Sequence, residues 1–177
     1  MARCIKLSDD CSGLTSIDIP NSVTSIGNGA FSGCSSLTSI NIPDSVTSIG
    51  ERAFEGCSGL TSIDIPNSVT SIKGGAFKGC SGLTSIDIPN SVTSVKNGLT
   101  VYDEVCHEYV TEIEVGIFEN CNALKSIKLH HTEPIPIDFP QKIKETCVLY
   151  VPAGTRWAYR HHYSYRDFAR IETFNEE

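Results

Sequence analysis

Residues 11–33, 34–56 and 57–79 are three near copies of one 23-residue unit; a fourth begins at Cys80 and a fifth at Cys121. The first and third copies differ only at Gly27 against Lys73, Asn28 against Gly74, and Ser32 against Lys78. Such a chain has few choices. One unit is too short to bury its own apolar residues, so each must lie against the next, and the whole becomes a stack of coils.

Each unit carries two apolar sets. The first follows an L-x-x-I-x-I pattern, as Leu14, Ile17, Ile19; Leu37, Ile40, Ile42; Leu60, Ile63, Ile65; Leu83, Ile86, Ile88; and Leu124, Ile127, Leu129. Its length and β-branched content suit a short strand, which Pro20, Pro43, Pro66 and Pro89 end by withholding a backbone donor. An NS or DS turn follows, and then the second set, Val23, Ile26, Ala30 and Phe31 in the first coil. Stacking at about 4.8 Å places Leu over Leu and predicts a ladder of Phe31, Phe54, Phe77 and Phe118. The expected fold is mainly β, a leucine-rich-repeat solenoid of about five coils with a short β-insert and a C-terminal cap containing a helix.

We read residues 1–177 as a single domain: a partial coil over 1–10, repeats over 11–129 with an insert at 92–109, and an irregular last coil and cap over 130–177. The insert arises because VTSV at 92–95 does not run on into A-F-x-G-C; VTEIEVGIFENC at 110–121 supplies that half-coil later. Asn97-Gly98 is the expected hairpin turn of a β-flap. HHTEPIPIDFPQKIKET, residues 130–146, departs from the repeat and opens the cap. Within the cap, Trp157 and Phe168 are expected to cover the last coil, core covering being favoured over an exposed aromatic patch. MARCIKLSDD is too short to cover Leu14 and Ile17, so more coils or a partner are expected there.

The units resemble the BspA-like leucine-rich repeat family, read as L-x-x-I-x-I-P-x-S-V-T-x-I-G-x-x-A-F-x-G-C. SLTSINIPDSVTSIGERAFEGC, residues 36–57, follows that pattern almost letter for letter, and CVLYVPAGTRWAYRHHYSYRDFARIE is similar to the family's closing strand, helix and strand. The resemblance implies a surface or secreted protein that adheres to host or microbial molecules, with no shared catalytic residues. A cytoplasmic location is the alternative, since MARCIKLSDD lacks the apolar core of a secretory signal.

Charge narrows the function. The formal net charge of −7 disfavours nucleic acid, which calls for a basic stripe. Residues 1–120 carry 14 acidic side chains against 6 basic, and residues 121–177 carry 7 against 8. No stretch approaches the roughly 18–20 apolar residues of a membrane span, so no membrane insertion is expected. Cys11, Cys34, Cys57, Cys80 and Cys121 fall at one point of the repeat and read as stacked buried thiols. Cys4, Cys106 and Cys147 lie off that ladder, and a disulfide among them is left open. No metal or cofactor is expected, because paired C-x-x-C or C-x-x-H spacing and phosphate-binding glycine motifs are missing.

The outward strand positions form a polar face of Thr and Ser with one charged column, Asp18, Asn41, Asp64, Asp87 and Lys128. That column is a candidate site for a cation or a basic partner, against the plainer reading of a solvated face. The irregular insert, with Tyr102, Glu104, His107 and Tyr109, is the other candidate contact surface, because recognition needs varied side chains. Repetition argues against an enzyme, since identical coils give every carboxylate the same surroundings. Adjacent Cys106 and His107 diverge on a strand, His161-His162 read as surface residues of a helix, and neither that pair nor His130-His131 is expected to bind metal. The expected function is a non-catalytic protein-interaction module binding a macromolecule on a concave face or the insert; the alternative is a structural spacer. The sequence fixes no oligomeric state, and a monomer is consistent with it.

Overall fold

The computed structural model describes the backbone of residues 4–5, 11–95, 98–103, 108–114 and 116–175, and side chains over 11–95 and 116–175. The chain winds as a β-solenoid of about six turns, one more than the repeat count, because the cap continues the stack.

Both apolar sets form parallel ladders. Strands β1 (Cys4–Ile5), β2 (Ser25–Ile26), β3 (Ser48–Ile49), β4 (Ser71–Ile72) and, after β5 (Ser85–Ile88), β6 (Ser94–Val95) carry the second set. They join in the order β1-β2-β3-β4-β6. Ser25 faces Ser48, Ser71 and Ser94 in turn, so the register equals the sequence period. The first set forms the other side. There β5 joins β9 (Ser126–Leu129), β10 (Val148–Pro152) and β11 (Arg170–Phe174) in the order β11-β10-β9-β5. Earlier coils reach this side through the single bridges Asp18↔Asn41 and Asp64↔Asp87. The expected strands over Leu14–Ile19 and Leu37–Ile42 are thus extended segments without full pairing. Regular pairing in those coils falls on the second set instead.

Hydroxyls recur because they tie coil to coil. Thr38 Oγ1 donates to the Thr15 carbonyl at 3.3 Å and Thr84 Oγ1 to Thr61 at 3.2 Å. Ser45, Ser68 and Ser91 donate to the carbonyls of Val23, Val46 and Val69 at 2.6–2.8 Å. The proline turns close through Val23, Val46, Val69 and Val92 N–H groups onto Pro20, Pro43, Pro66 and Pro89. The serine and threonine positions therefore belong to the ladder as well as to the solvent face.

The third side holds the aromatic ladder. Phe31, Phe54, Phe77 and Phe118 stack at 5.3, 5.6 and 6.0 Å between centroids, as expected. Phe139 extends it at 5.9 Å from within the irregular segment, where no repeat pattern marked it. The turn before each ladder cysteine needs a left-handed residue, supplied by Gly33, Gly56 and Gly79 at φ +79, +72 and +70°. Asn120 takes the same place at φ +62°, asparagine being one of the few side chains that tolerates it.

The insert is a two-stranded antiparallel hairpin of β7 (Gly98–Asp103) and β8 (Glu108–Glu114). Gly98 lies in β7 opposite Glu114, so Asn97-Gly98 is not the hairpin's turn; the strands are joined through 104–107, which fall outside the described residues, as does Asn97. The boundaries shift too. Residues 92–95 arrive directly from the Pro89 turn and occupy the sheet column, while 110–114 lie in the hairpin. The excursion therefore runs over 96–115, and the stack resumes with the Phe77 N–H donating to the Ile117 carbonyl at 3.0 Å.

The cap contains α1 (Gln141–Thr146) and α2 (Arg156–His161). Phe168 is buried and meets Phe139 edge-on at 5.1 Å, as expected of a covering residue. Trp157 is not buried: it is 73% exposed. Residues two apart on a helix point to nearly opposite sides, and Tyr159 takes the inward one, its hydroxyl donating to the His131 carbonyl at 2.9 Å. Tyr165 is likewise buried and donates to the Ile135 carbonyl at 2.7 Å.

Two expectations about cysteine change. Cys11 and Cys34 form a disulfide across adjacent coils, so the first two ladder positions are bonded. Cys57, Cys80 and Cys121 are buried free thiols, as the repeat suggested. Their Sγ–H groups donate to the carbonyls of Phe31, Phe54 and Phe77 at 3.0–3.1 Å. Burial pushes the Cys57 and Cys121 thiols up to about 12 and raises Cys80 as well, which keeps them protonated and inert. Cys147 is also a buried free thiol, donating to the Leu124 carbonyl at 2.8 Å, so it joins no disulfide.

Candidate functional site

The five column residues share one line of the strand face. Asp18 pairs with Asn41, Asp64 with Asp87, and Asp87 stands in register with Lys128. Asp18, Asn41 and Asp64 are exposed and flanked by identical neighbours, whereas Asp87 and Lys128 are half-buried. Here the symmetry of the repeat ends.

Coil five changes what Asp87 meets. Lys128 Nζ lies 3.8 Å from Asp87 Oδ2, and His130 Nε2 lies 2.7 Å from Oδ1. His130 stands where the four earlier coils carry proline, which is how an imidazole reaches this face. Both side chains rest on Phe174, Lys128 Nζ 4.3 Å above its ring and the His130 ring edge-on at 5.1 Å. Asp87 is thereby fixed, while Asp64, one strand away, has no such ion pair among the described residues.

Two hollows flank this pair of carboxylates. One, of about 420 Å³, is lined by Asp64, Ile65, Asn67, Asp87, Pro89, Asn90 and His130. The other, of about 370 Å³, lies over Ser62, Asp64, Ser85, Asp87, Lys128 and Tyr150. Carboxylates and amides beside isoleucine side chains suit hydrogen-bonding or cationic groups of a larger partner. Among the described residues no three His, Cys, Asp or Glu side chains are placed to hold a metal ion.

The sequence marks His130 only as half of a histidine pair, and Asn67, Asn90, Tyr150 and Phe174 are not among its candidate site residues. The signal for His130 was present, as a histidine at the proline position of the fifth unit; Phe174 comes from a strand 44 residues later and left none. Tyr102 and Tyr109 face each other in the β7–β8 register. Glu104, His107 and Cys106 lie outside the described residues, so the insert half of the expected site rests on its backbone alone.

The two histidine pairs divide. His161 is exposed, but His131 is buried, and its Nε2 donates to the Val92 carbonyl at 2.8 Å. Its Nδ1 is buried without a hydrogen-bond partner among the described residues. Burial holds its pKa below the ordinary histidine value. The sign follows. As pH falls through about 6.5 the unfolded chain takes up a proton that the folded chain resists, so stability drops on acidification and is level above neutrality. His162 is lowered by burial too and adds with the same sign. Urea denaturation at pH 7 and 5 should show wild type losing more stability than His131→Gln, the gap being at most about 1.4 kcal/mol per pH unit.

Coils of one fixed period, parallel ladders on two sides and an aromatic column on the third define a leucine-rich-repeat solenoid. The chain belongs to the BspA type leucine rich repeat family, whose model matches residues 8–101 and 100–137 in six copies. Among solved structures it is similar to a leucine rich cell surface protein from Faecalibacterium prausnitzii, at 25% identity and a TM-score of 0.53 over 92% of this chain. A leucine-rich repeat protein from Bacteroides ovatus is 34% identical over 81% of the chain, with a TM-score of 0.51. The pneumococcal vaccine antigen PcpA shares the fold at 17% identity, with a TM-score of 0.59 over 92% of the chain. The chain spans 33, 41 and 42% of those three proteins. No curated protein matches it in sequence. Among the described residues, no helix is long and apolar enough to cross a membrane.

Proposed function

We propose that the chain is a non-catalytic, adhesin-like interaction module of a cell-surface or secreted protein, docking a host or microbial macromolecule on the strand face around Asp87. The observation that carries this reading is the break in repeat symmetry at Asp64, Asp87, Lys128 and His130, where a uniform polar ribbon becomes a distinct chemical surface. The family and the cell-surface description of the Faecalibacterium protein support the setting. The Cys11–Cys34 disulfide supports it independently, since such bonds persist in oxidising compartments. The hairpin of β7 and β8 is the second contact surface in this reading.

The test uses immobilised extracellular-matrix proteins and cultured epithelial cells. Two variants separate the surfaces: Asp87→Arg, and replacement of residues 96–115 by Gly-Glu, the pair that follows Ile49 in the regular second coil. Asp87→Arg is expected to weaken binding at least about tenfold, the effect of setting a like charge beside Lys128 in place of a paired carboxylate. Loss only with the hairpin replacement would move the contact to the insert. No binding by the intact protein to any of these surfaces would favour the spacer reading.

A further inference from the structure

Residues 156–166 carry three arginines, two histidines and four aromatic side chains, without one Asp or Glu. The preceding repeats are acidic, so this stretch is a local reversal of charge. Its aromatics divide by role. Tyr159 and Tyr165 are buried in the cap with bonded hydroxyls. Trp157 and Tyr163 face outward at 73% and 65% exposure, the exposed large apolar side chains among the described residues.

Neither outward ring hangs free. The Trp157 indole is stacked on the His161 imidazole at 4.2 Å and 26°, and the His161 Nδ1 lies 2.8 Å from the Trp157 carbonyl. The Tyr163 ring is stacked on His162 at 4.4 Å and 29°, and His162 Nδ1 accepts the Ser164 N–H at 3.2 Å. Each ring is backed on one side and flat, with its other face in water. Cap stability gives no reason for this, because removing the Trp157 side chain would uncover little.

Cationic groups stand in the same segment. Arg156 begins α2 beside Trp157 and is exposed. Arg160 is held by the Phe168 carbonyl at 2.8 Å. Arg166 is exposed and approaches Asp167 only at 3.9 Å. A flat, pre-positioned aromatic face in a segment that also carries guanidinium groups suits a ligand that offers both an apolar ring face and an anionic substituent. Pyranose rings bearing carboxylate or sulfate have both. The acidic repeats would repel such a polymer, which confines it to the cap.

We propose that the outer surface of α2 binds acidic polysaccharide, Trp157 stacking on a sugar ring while Arg156 and Arg166 meet its anionic groups. Trp157 is the chain's single tryptophan, so its fluorescence reports this surface alone. Titration of the full chain with an oligogalacturonate is expected to give a saturable fluorescence change that weakens as salt rises. By calorimetry, Trp157→Ala should weaken binding at least about tenfold, the order of one lost stacking contact. Paired Arg156→Ala and Arg166→Ala should flatten the salt dependence. Circular dichroism checks that the variants stay folded. No saturable change would overturn the proposal. So would an equal or stronger response to a neutral maltooligosaccharide, to polyglutamate or to a single-stranded oligonucleotide, the last two assigning the surface to an acidic peptide or to nucleic acid.

Discussion

Replacing Phe77 with alanine is expected to cost about 3–5 kcal/mol of stability, the upper range for truncating a fully buried aromatic. Phe77 has no solvent exposure, and its ring lies between Phe54 and Phe118. In a stack where each coil touches only its neighbours, one missing ring weakens two interfaces at once. Its backbone also carries the resumption of the ladder after the hairpin: its N–H donates to Ile117 and its carbonyl accepts the Cys121 thiol. Equilibrium unfolding in urea measures the loss. Phe31→Ala, at the first rung with a single stacking partner among the described residues, should cost clearly less, and equal costs would contradict nearest-neighbour stacking.

Reduction of the Cys11–Cys34 bond is expected to destabilise the first coil by about 3 kcal/mol, the chain-entropy value for a loop of this size. The effect should be local. Leu14 and Ile17 are only half-buried, whereas their counterparts Leu37, Ile40, Leu60 and Ile63 are buried, so the first coil depends on its covalent tie. Amide exchange should quicken over residues 11–26 in reductant and stay slow beyond Leu37. Cys11→Ser should reproduce the effect without reductant. An exchange pattern that ignores reductant would show that the bond contributes nothing to the coil.

The solenoid was legible because its evidence was repeated: Leu, Ile, Val, Phe and Cys each returned at one spacing, and the sheet register reproduces that spacing. What escaped was decided by single events outside the pattern. The disulfide could not be told from the free thiols, since Cys11 and Cys34 occupy the same repeat position as Cys57, Cys80 and Cys121. Trp157 and Tyr159 compete for one inward position on a six-residue helix, and composition favoured the larger ring, whereas the hydroxyl's reach to His131 favours the smaller. The hairpin was foreseen but its turn was not, because VTSV and VTEI are equal candidates for one sheet column and only chain order decides between them. Of the candidate site, the column of charges was readable from spacing; His130 and Phe174, which make Asp87 unlike Asp64, come from the two places where the period fails.

The excursion at 96–115 leaves the stack at Val95 and hands it back at Gly116 with the rungs on either side unbroken. That corner is a socket: length and composition there are decoupled from the rest of the coil. Peptides of other sequence, carried between the same two flanking residues, should be exchangeable without refitting the scaffold, which makes this position the natural one for acquiring or grafting new cargo.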